Sequence, residues 1–347
     1  MRCVGLVAIL LSIVVLQSSA SSVSLSTSDR ESVRVAADYI VCCQLPNGLI
    51  AQTPDEKVRA VPYFANQASI GLLHAYQVTG EKRYLDAVLR YIDWYGKHIN
   101  PDGTAFDWAG TRADPVSTGG YDSTDAYPAT FISLCYEAFR VVHDRDLLRS
   151  IFPTVIRSVS GIVLTMQSDG LTYAKPNFKI KYLMDNLEVR SGLRDAVKIA
   201  AALGDREKAG EWKSLERRSE RGLLKMWQPK EGVFSMCIYE NGSLNAGFAD
   251  WYPDGMANAM ALTYLLDKRD QGAVRLCRLV RDKYPDCNDY WRFSCLWKFG
   301  YKAEAAEVRA KMSSSTGTSA DRGLYIRALV PEKDDLSEPI RLPDASQ

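Results

Sequence analysis

The chain carries carboxylates, aromatics and amides at regular intervals, and only 3 histidines. Three stretches concentrate them: Gly120-Tyr121-Asp122-Ser123-Thr124-Asp125-Ala126-Tyr127, Tyr182-Leu183-Met184-Asp185-Asn186-Leu187-Glu188, and Phe248-Ala249-Asp250-Trp251-Tyr252-Pro253-Asp254-Gly255. Asp125 precedes Glu188 by 63 residues, and Glu188 precedes Asp250 by 62. Paired carboxyl groups can divide acid and base work: one protonates a leaving oxygen while the other activates water or attacks carbon. The faces of Trp108, Tyr121, Tyr182 and Trp251 suit sugar rings, and Asn186 offers hydrogen bonds. No phosphate-binding glycine loop, dinucleotide fingerprint, nucleophile elbow, zinc-protease motif or calcium-loop spacing occurs. No cofactor and no metal are therefore expected.

The same acids also fit a purely structural role. Asp122-x-x-Asp125 and Asp185-x-x-Glu188 have the spacing of a helix capping box, and an acid at a helix start complements the helix dipole. That dipole lowers a carboxyl pKa, which suits a base or nucleophile better than an acid. Glu188, one turn into its helix between Leu187 and Val189, is the better acid candidate, with Asp125 or Asp254 as base. Arg190 and Arg194 flank the second stretch, to bind an acidic sugar or to form salt bridges. Glu137 reads as a paired structural charge, and Trp94, Trp212, Trp227, Trp291 and Trp297 as packing.

A repeat of about sixty residues must position these groups. Turns at Gly48, Gly103, Gly170 and Gly232 are spaced by 55, 67 and 62 residues. Between them fall polar links at Thr79–Lys82, His143–Asp146, Gly204–Glu207 and Asp267–Asp270. Each link joins two stretches of helical periodicity, as where Tyr84, Leu85, Val88, Leu89 and Ile92 follow Ala65–Val78. The pattern predicts about eleven helices and a twelfth element near Leu324–Val330: an all-α chain of helical hairpins with short turns on one side and long loops on the other. If the hairpins close into a ring, the three acidic stretches open on one mouth.

The stretch Val78–Tyr95 (VTGEKRYLDAVLRYIDWY) and the acidic junctions resemble the six-hairpin glycosidase superfamily. The resemblance implies an (α/α)6 toroid over residues 21–330 and a glycoside hydrolase acting on an oligo- or polysaccharide. Its inverting members draw acid and base from different junctions, which implies such a pair among Asp122, Asp125, Asp185, Glu188, Asp250 and Asp254. Unsaturated-uronide hydrolases on this ring rely on aspartates and are a close variant. A polysaccharide lyase using Tyr121 or Tyr182 with Arg190 stays open, as does a non-catalytic helical-repeat protein binding glycans or another protein. Sugar epimerases on this ring use histidines, and His74, His98 and His143 lie away from the acidic junctions.

Charge and cysteine usage narrow the setting. Against 43 Lys and Arg stand 42 Asp and Glu, a formal net charge of +1, so nucleic acid is not an expected partner. Met1-Arg2, a 13-residue apolar run Val4–Leu16, and small residues at Ser18 and Ala20 read as a signal peptide over about 1–20. The expectation is a secreted or periplasmic protein with no membrane attachment after cleavage. Seven cysteines remain, an odd number without metal-ligand spacing, and one bridge, Cys277 to Cys287, is conceivable. Asn241-Gly242-Ser243 is a glycosylation sequon, and Pro331–Gln347 reads as a C-terminal surface extension. In a secreting host, mass spectrometry of the exported product should place its first residue near Ser21; a product retaining Met1 would refute the leader.

Overall fold

A computed structural model of the chain describes residues 25–312, 317–331 and 339–343. The predicted leader, residues 1–20, lies outside the described residues. Among the described residues twelve α-helices follow one another: α1 Thr27–Cys43, α2 Pro62–Thr79, α3 Lys82–His98, α4 Ala126–Val142, α5 Arg145–Thr165, α6 Leu183–Leu203, α7 Arg206–Leu224, α8 Met256–Tyr264, α9 Gln271–Lys283, α10 Tyr290–Lys298, α11 Lys302–Lys311 and α12 Ser319–Leu329. The even-numbered helices pack in the cycle α2, α4, α6, α8, α10, α12 and back to α2, with the odd-numbered ones outside them. The fold is the expected (α/α)6 toroid.

Hydrophobic pattern explains which helix goes where. Outer helix α3 shows one buried stripe, Tyr84, Leu85, Val88, Tyr91, Ile92 and Tyr95, and a charged opposite face. Inner helix α2 is buried almost all round from Ala65 to Ala75, because it meets outer helices on one side and the ring interior on the other. The apolar core is accordingly annular, filling the space between the two rings.

The polar links Thr79–Lys82, His143–Asp146, Gly204–Glu207 and Asp267–Asp270 are the inner-to-outer turns. The glycine turns belong to the longer outer-to-inner loops. At three of them the same contact recurs. Gly48, Gly103 and Gly170 have φ of 100°, 87° and 91°, and an added Cβ would come 2.7, 2.1 and 2.0 Å from the carbonyl oxygens of Arg90, Arg157 and Arg218. These carbonyls lie on α3, α5 and α7, so each loop seats on the following outer helix. Only glycine combines that backbone conformation with so close an approach.

The long loops also carry small antiparallel sheets that the helical periodicity does not reveal. Strands β1 Lys57–Ala60, β2 Trp108–Thr111 and β3 Pro115–Ser117 form one; β4 Lys181–Tyr182, β7 Cys237–Ile238 and β8 Leu244–Asn245 form another. A two-stranded ladder pairs β5 Trp227–Gln228 with β6 Val233–Phe234. All seven cysteines of the described residues are free thiols, so the conceivable Cys277–Cys287 bridge does not form. Cys277 is instead buried beside Cys295, with its sulfur 4.0 Å from the Cys295 carbonyl. Residues 339–343 of the C-terminal extension return to the body: Ile340 exchanges backbone hydrogen bonds with Leu265 and Asp267. Helix α5 is long and apolar enough to cross a membrane, but it packs into the outer ring against α3, α4 and α6.

Ring closure rests on α12 meeting α2. A Cβ at Gly71 would lie 2.4 Å from the Gly323 Cα, and one at Gly323 would lie 2.5 Å from the Gln67 carbonyl oxygen. Gly323→Ala should therefore destabilise the protein by about 1–3 kcal/mol, read from denaturant unfolding. Gly80→Ala, whose added Cβ meets nothing within 4 Å but whose φ is 72°, should lower stability through backbone strain alone, by about 1 kcal/mol.

Candidate functional site

Because the inner helices run in one direction, their N-termini all open on the same end of the ring, and the long loops build a mouth there. The acids come to this end from three elements. Asp125 is the N-cap of α4 and is fully buried. Its carboxylate accepts from the Ala126 N–H at 2.9 Å, the Ser123 hydroxyl at 2.6 Å and the Thr172 hydroxyl. Burial outweighs those donors and raises its pKa to about 6. Asp185 and Glu188 stand within the first two turns of α6, whose N-cap, Tyr182, makes no side-chain cap bond. The capping explanation thus holds for Asp125 and fails for Asp185 and Glu188. Among the described helices the full capping box is elsewhere, at Thr318 and Asp321 of α12.

Glu188 is 3 % exposed and accepts a 2.8 Å hydrogen bond from the Tyr63 hydroxyl on the first turn of α2. Burial, reinforced by the charge of Asp125, pushes its pKa up to about 8. Asp185 is half-exposed at the mouth. Desolvation and then the charges of Asp125, Glu188 and Asp122 hold its carboxyl well above the usual range. Asp122 is exposed on the loop before α4. Asp107, a residue that spacing does not single out, joins the group: it accepts from the Tyr127 hydroxyl at 3.1 Å, and burial raises its pKa. Asp122 acts on Asp107 and on Asp185, and Asp125 and Glu188 act on Asp185, so the five acids form one connected group.

The acids of the third stretch are engaged elsewhere. Asp250 is exposed, and Asp254 is largely buried and accepts from the Ala249 N–H at 3.0 Å. Asp254 acts electrostatically on Tyr284 and Cys237. Several binding candidates are held by the protein itself. The Asn186 amide, fully buried, bonds the Thr172 backbone and the Tyr182 carbonyl, so it braces a loop and is not presented to a ligand. Trp251 donates its indole N–H to Asp289, and Trp108 packs edge-on against Trp94 and His98. Tyr121 stacks on Phe106 with centroids 6.0 Å apart, and Tyr182 stays half-exposed beside the acids. Arg190 turns outward to Glu216 and Glu220 of α7, away from Tyr121 and Tyr182. Glu137 forms the structural pair expected of it, with Arg140 at 2.8 Å.

One signal could have located Tyr63. The spacing of 63 that links Asp125 to Glu188, carried one unit back, lands on Pro62 at the first helical position of α2, and Tyr63 is the next residue. Asp107 has no such marker, because it lies in a loop between hairpins and reaches Tyr127 only through the fold.

No family model matches the chain, and no curated protein matches it. Solved structures do. A GH63 mannosylglycerate hydrolase from Thermus thermophilus in complex with glucose superposes with a TM-score of 0.63 at 12 % identity, over 86 % of this chain and 99 % of that one. A rhamnosidase from Klebsiella oxytoca with rhamnose bound gives 0.58 at 15 % identity, over 88 % of this chain and 64 % of that one. An unsaturated glucuronyl hydrolase specific for heparin gives 0.58 at 12 % identity, over 87 % and 95 %. These likenesses establish the (α/α)6 toroid as a fold shared with glycosidases.

The buried acids give a pH dependence to stability. An acid whose pKa is higher folded than unfolded holds its proton in the folded state, so its contribution is complete at low pH and is lost as pH rises. For Glu188 that window runs from 4.5 to about 8. The melting temperature should fall across it, and Glu188→Gln should flatten the fall; an unchanged slope would show that Glu188 is ionised throughout.

Proposed function

We propose that the protein is an exported glycoside hydrolase in which Asp185 is the general acid. The observation that carries this reading is a half-buried carboxyl on the first turn of α6, where desolvation and then the charges of Asp125, Glu188 and Asp122 favour its protonated form. A carboxyl held above the ordinary carboxylate range is suited to give its proton to a departing sugar alkoxide. The fold shared with glycosidases supports it.

In the proposed cycle Asp185 transfers its proton to the glycosidic oxygen as the bond from that oxygen to the anomeric carbon breaks. Asp122, exposed on the facing loop, takes a proton from water, and the resulting hydroxide adds to the anomeric carbon. Exchange with solvent then returns a proton to Asp185 and removes one from Asp122. Glu188 and Asp125 do not touch substrate in this scheme. They are positioning residues that keep Asp185 protonated, and the Tyr63 hydroxyl fixes the Glu188 carboxyl. The roles differ from those the spacing suggests, because Asp125 is enclosed by its own donors and Glu188 is bonded to the Tyr63 hydroxyl. The lyase alternative loses its cation, since Arg190 is engaged with α7.

The test is turnover of a panel of 4-nitrophenyl α-rhamnoside, α-mannoside and α-glucoside, unsaturated heparin disaccharide, and plant and bacterial polysaccharides. Asp185→Asn should reduce kcat by roughly 10²–10⁴-fold with the melting temperature retained. Glu188→Gln should move the alkaline limb of the pH profile, because it removes one charge acting on Asp185. Glycan binding without product release would sink the hydrolase reading, and full activity in Asp185→Asn would sink the assignment of the acid.

A further inference from the structure

Large aromatics normally avoid water, yet two stand open at the mouth: Tyr252 is 67 % exposed and Phe178 is 44 % exposed. Between them and the acids stands Tyr182. Its ring lies 6.4 Å from that of Phe178, centroid to centroid, at an interplanar angle of 33°. Its phenol lies within electrostatic reach of Asp185, Tyr252 and Asp122. The three rings therefore neighbour one another beside the proposed general acid.

We infer that Phe178, Tyr182 and Tyr252 form a distal platform for a glycan chain longer than the two sugar units that flank the broken bond. The inference rests on the hydrolase reading and goes beyond it by naming an extended oligosaccharide as the substrate class. A pyranose ring presents apolar C–H faces and polar edges. Stacked on an aromatic face, it covers the exposed apolar surface while its hydroxyls stay in water, so both partners are satisfied.

The platform is held in place before any ligand arrives. Tyr182 belongs to strand β4, which pairs with β7, and Lys179 beside Phe178 forms a 2.7 Å ion pair with Glu240 at the end of the β7–β8 hairpin. The Lys175 ammonium lies 5.9 Å from the Phe178 ring centre. Next to Tyr252, Trp251 is tied to Asp289 and packs edge-on against Tyr284. Fixed rings bind with less loss of side-chain freedom than mobile ones. A protein or lipid partner would cover such a patch too, but the continuity of the rings with the acids favours the chain being cut.

The experiment compares two-unit and five-unit oligosaccharides prepared from the polymer that the panel identifies. Tyr252→Ala and Phe178→Ala should each raise KM for the five-unit chain roughly three- to tenfold and leave kcat and the two-unit substrate unchanged. Tyr252→Phe, which keeps the ring, should behave as the wild type. Equal effects on both lengths, or none on either, would overturn the platform while leaving hydrolysis intact. Absence of any hydrolysis across the panel would overturn the hydrolase reading and the platform with it.

Discussion

Everything at the mouth depends on a contact at the ring seam that no side chain makes. Helix α12 reaches α2 across nearly the whole length of the chain, and the two meet backbone to backbone at Gly71 and Gly323. Side chains there would hold the helices apart and leave a cleft where the circle should close. With the seam shut, six inner helices point their N-termini at one region, and Tyr63 of the first hairpin comes within hydrogen-bond distance of Glu188 of the third.

That convergence sets the electrostatics. Helix N-termini carry partial positive charge, which favours carboxylates, while burial and mutual repulsion favour the neutral acids. The outcome differs residue by residue. Asp125 receives three donors and rises only to about 6. Glu188 has a single hydroxyl and rises to about 8. Asp185 is held well above its ordinary value by desolvation and then by the charges of Asp125, Glu188 and Asp122. A set of like residues at like places in successive repeats thus acquires different proton affinities, which is the division of labour an acid–base site needs.

The ring was legible in the sequence because its determinants are local and periodic. The polar links and the glycine turns mark hairpin boundaries, and the structure shows why three of those turns must be glycine. Convergence of Asp122, Asp125, Asp185 and Glu188 was legible too, since equal spacing on a closed ring means equal height. The third stretch keeps the spacing at Asp250, yet Asp254 within it turns toward Ala249 and Tyr284. Spacing missed Asp107, whose membership depends on a loop path. Residue type misled at Asn186 and Trp251: an amide and an indole suit a sugar, but here the protein takes their hydrogen bonds for itself. The sheets were hidden because strands of two to four residues leave no periodic trace.

Thr172 gives the site a mechanical consequence. It lies at the root of the loop that carries Phe178 and Tyr182, and its hydroxyl donates to Asp125 while Asn186 grips its backbone. An ionised carboxylate is a stronger acceptor than a neutral acid. The root of that loop is therefore fastened to a group that changes charge near pH 6. An ionised Asp125 therefore holds the Thr172 hydroxyl, and with it the root of that loop, more tightly than a neutral one.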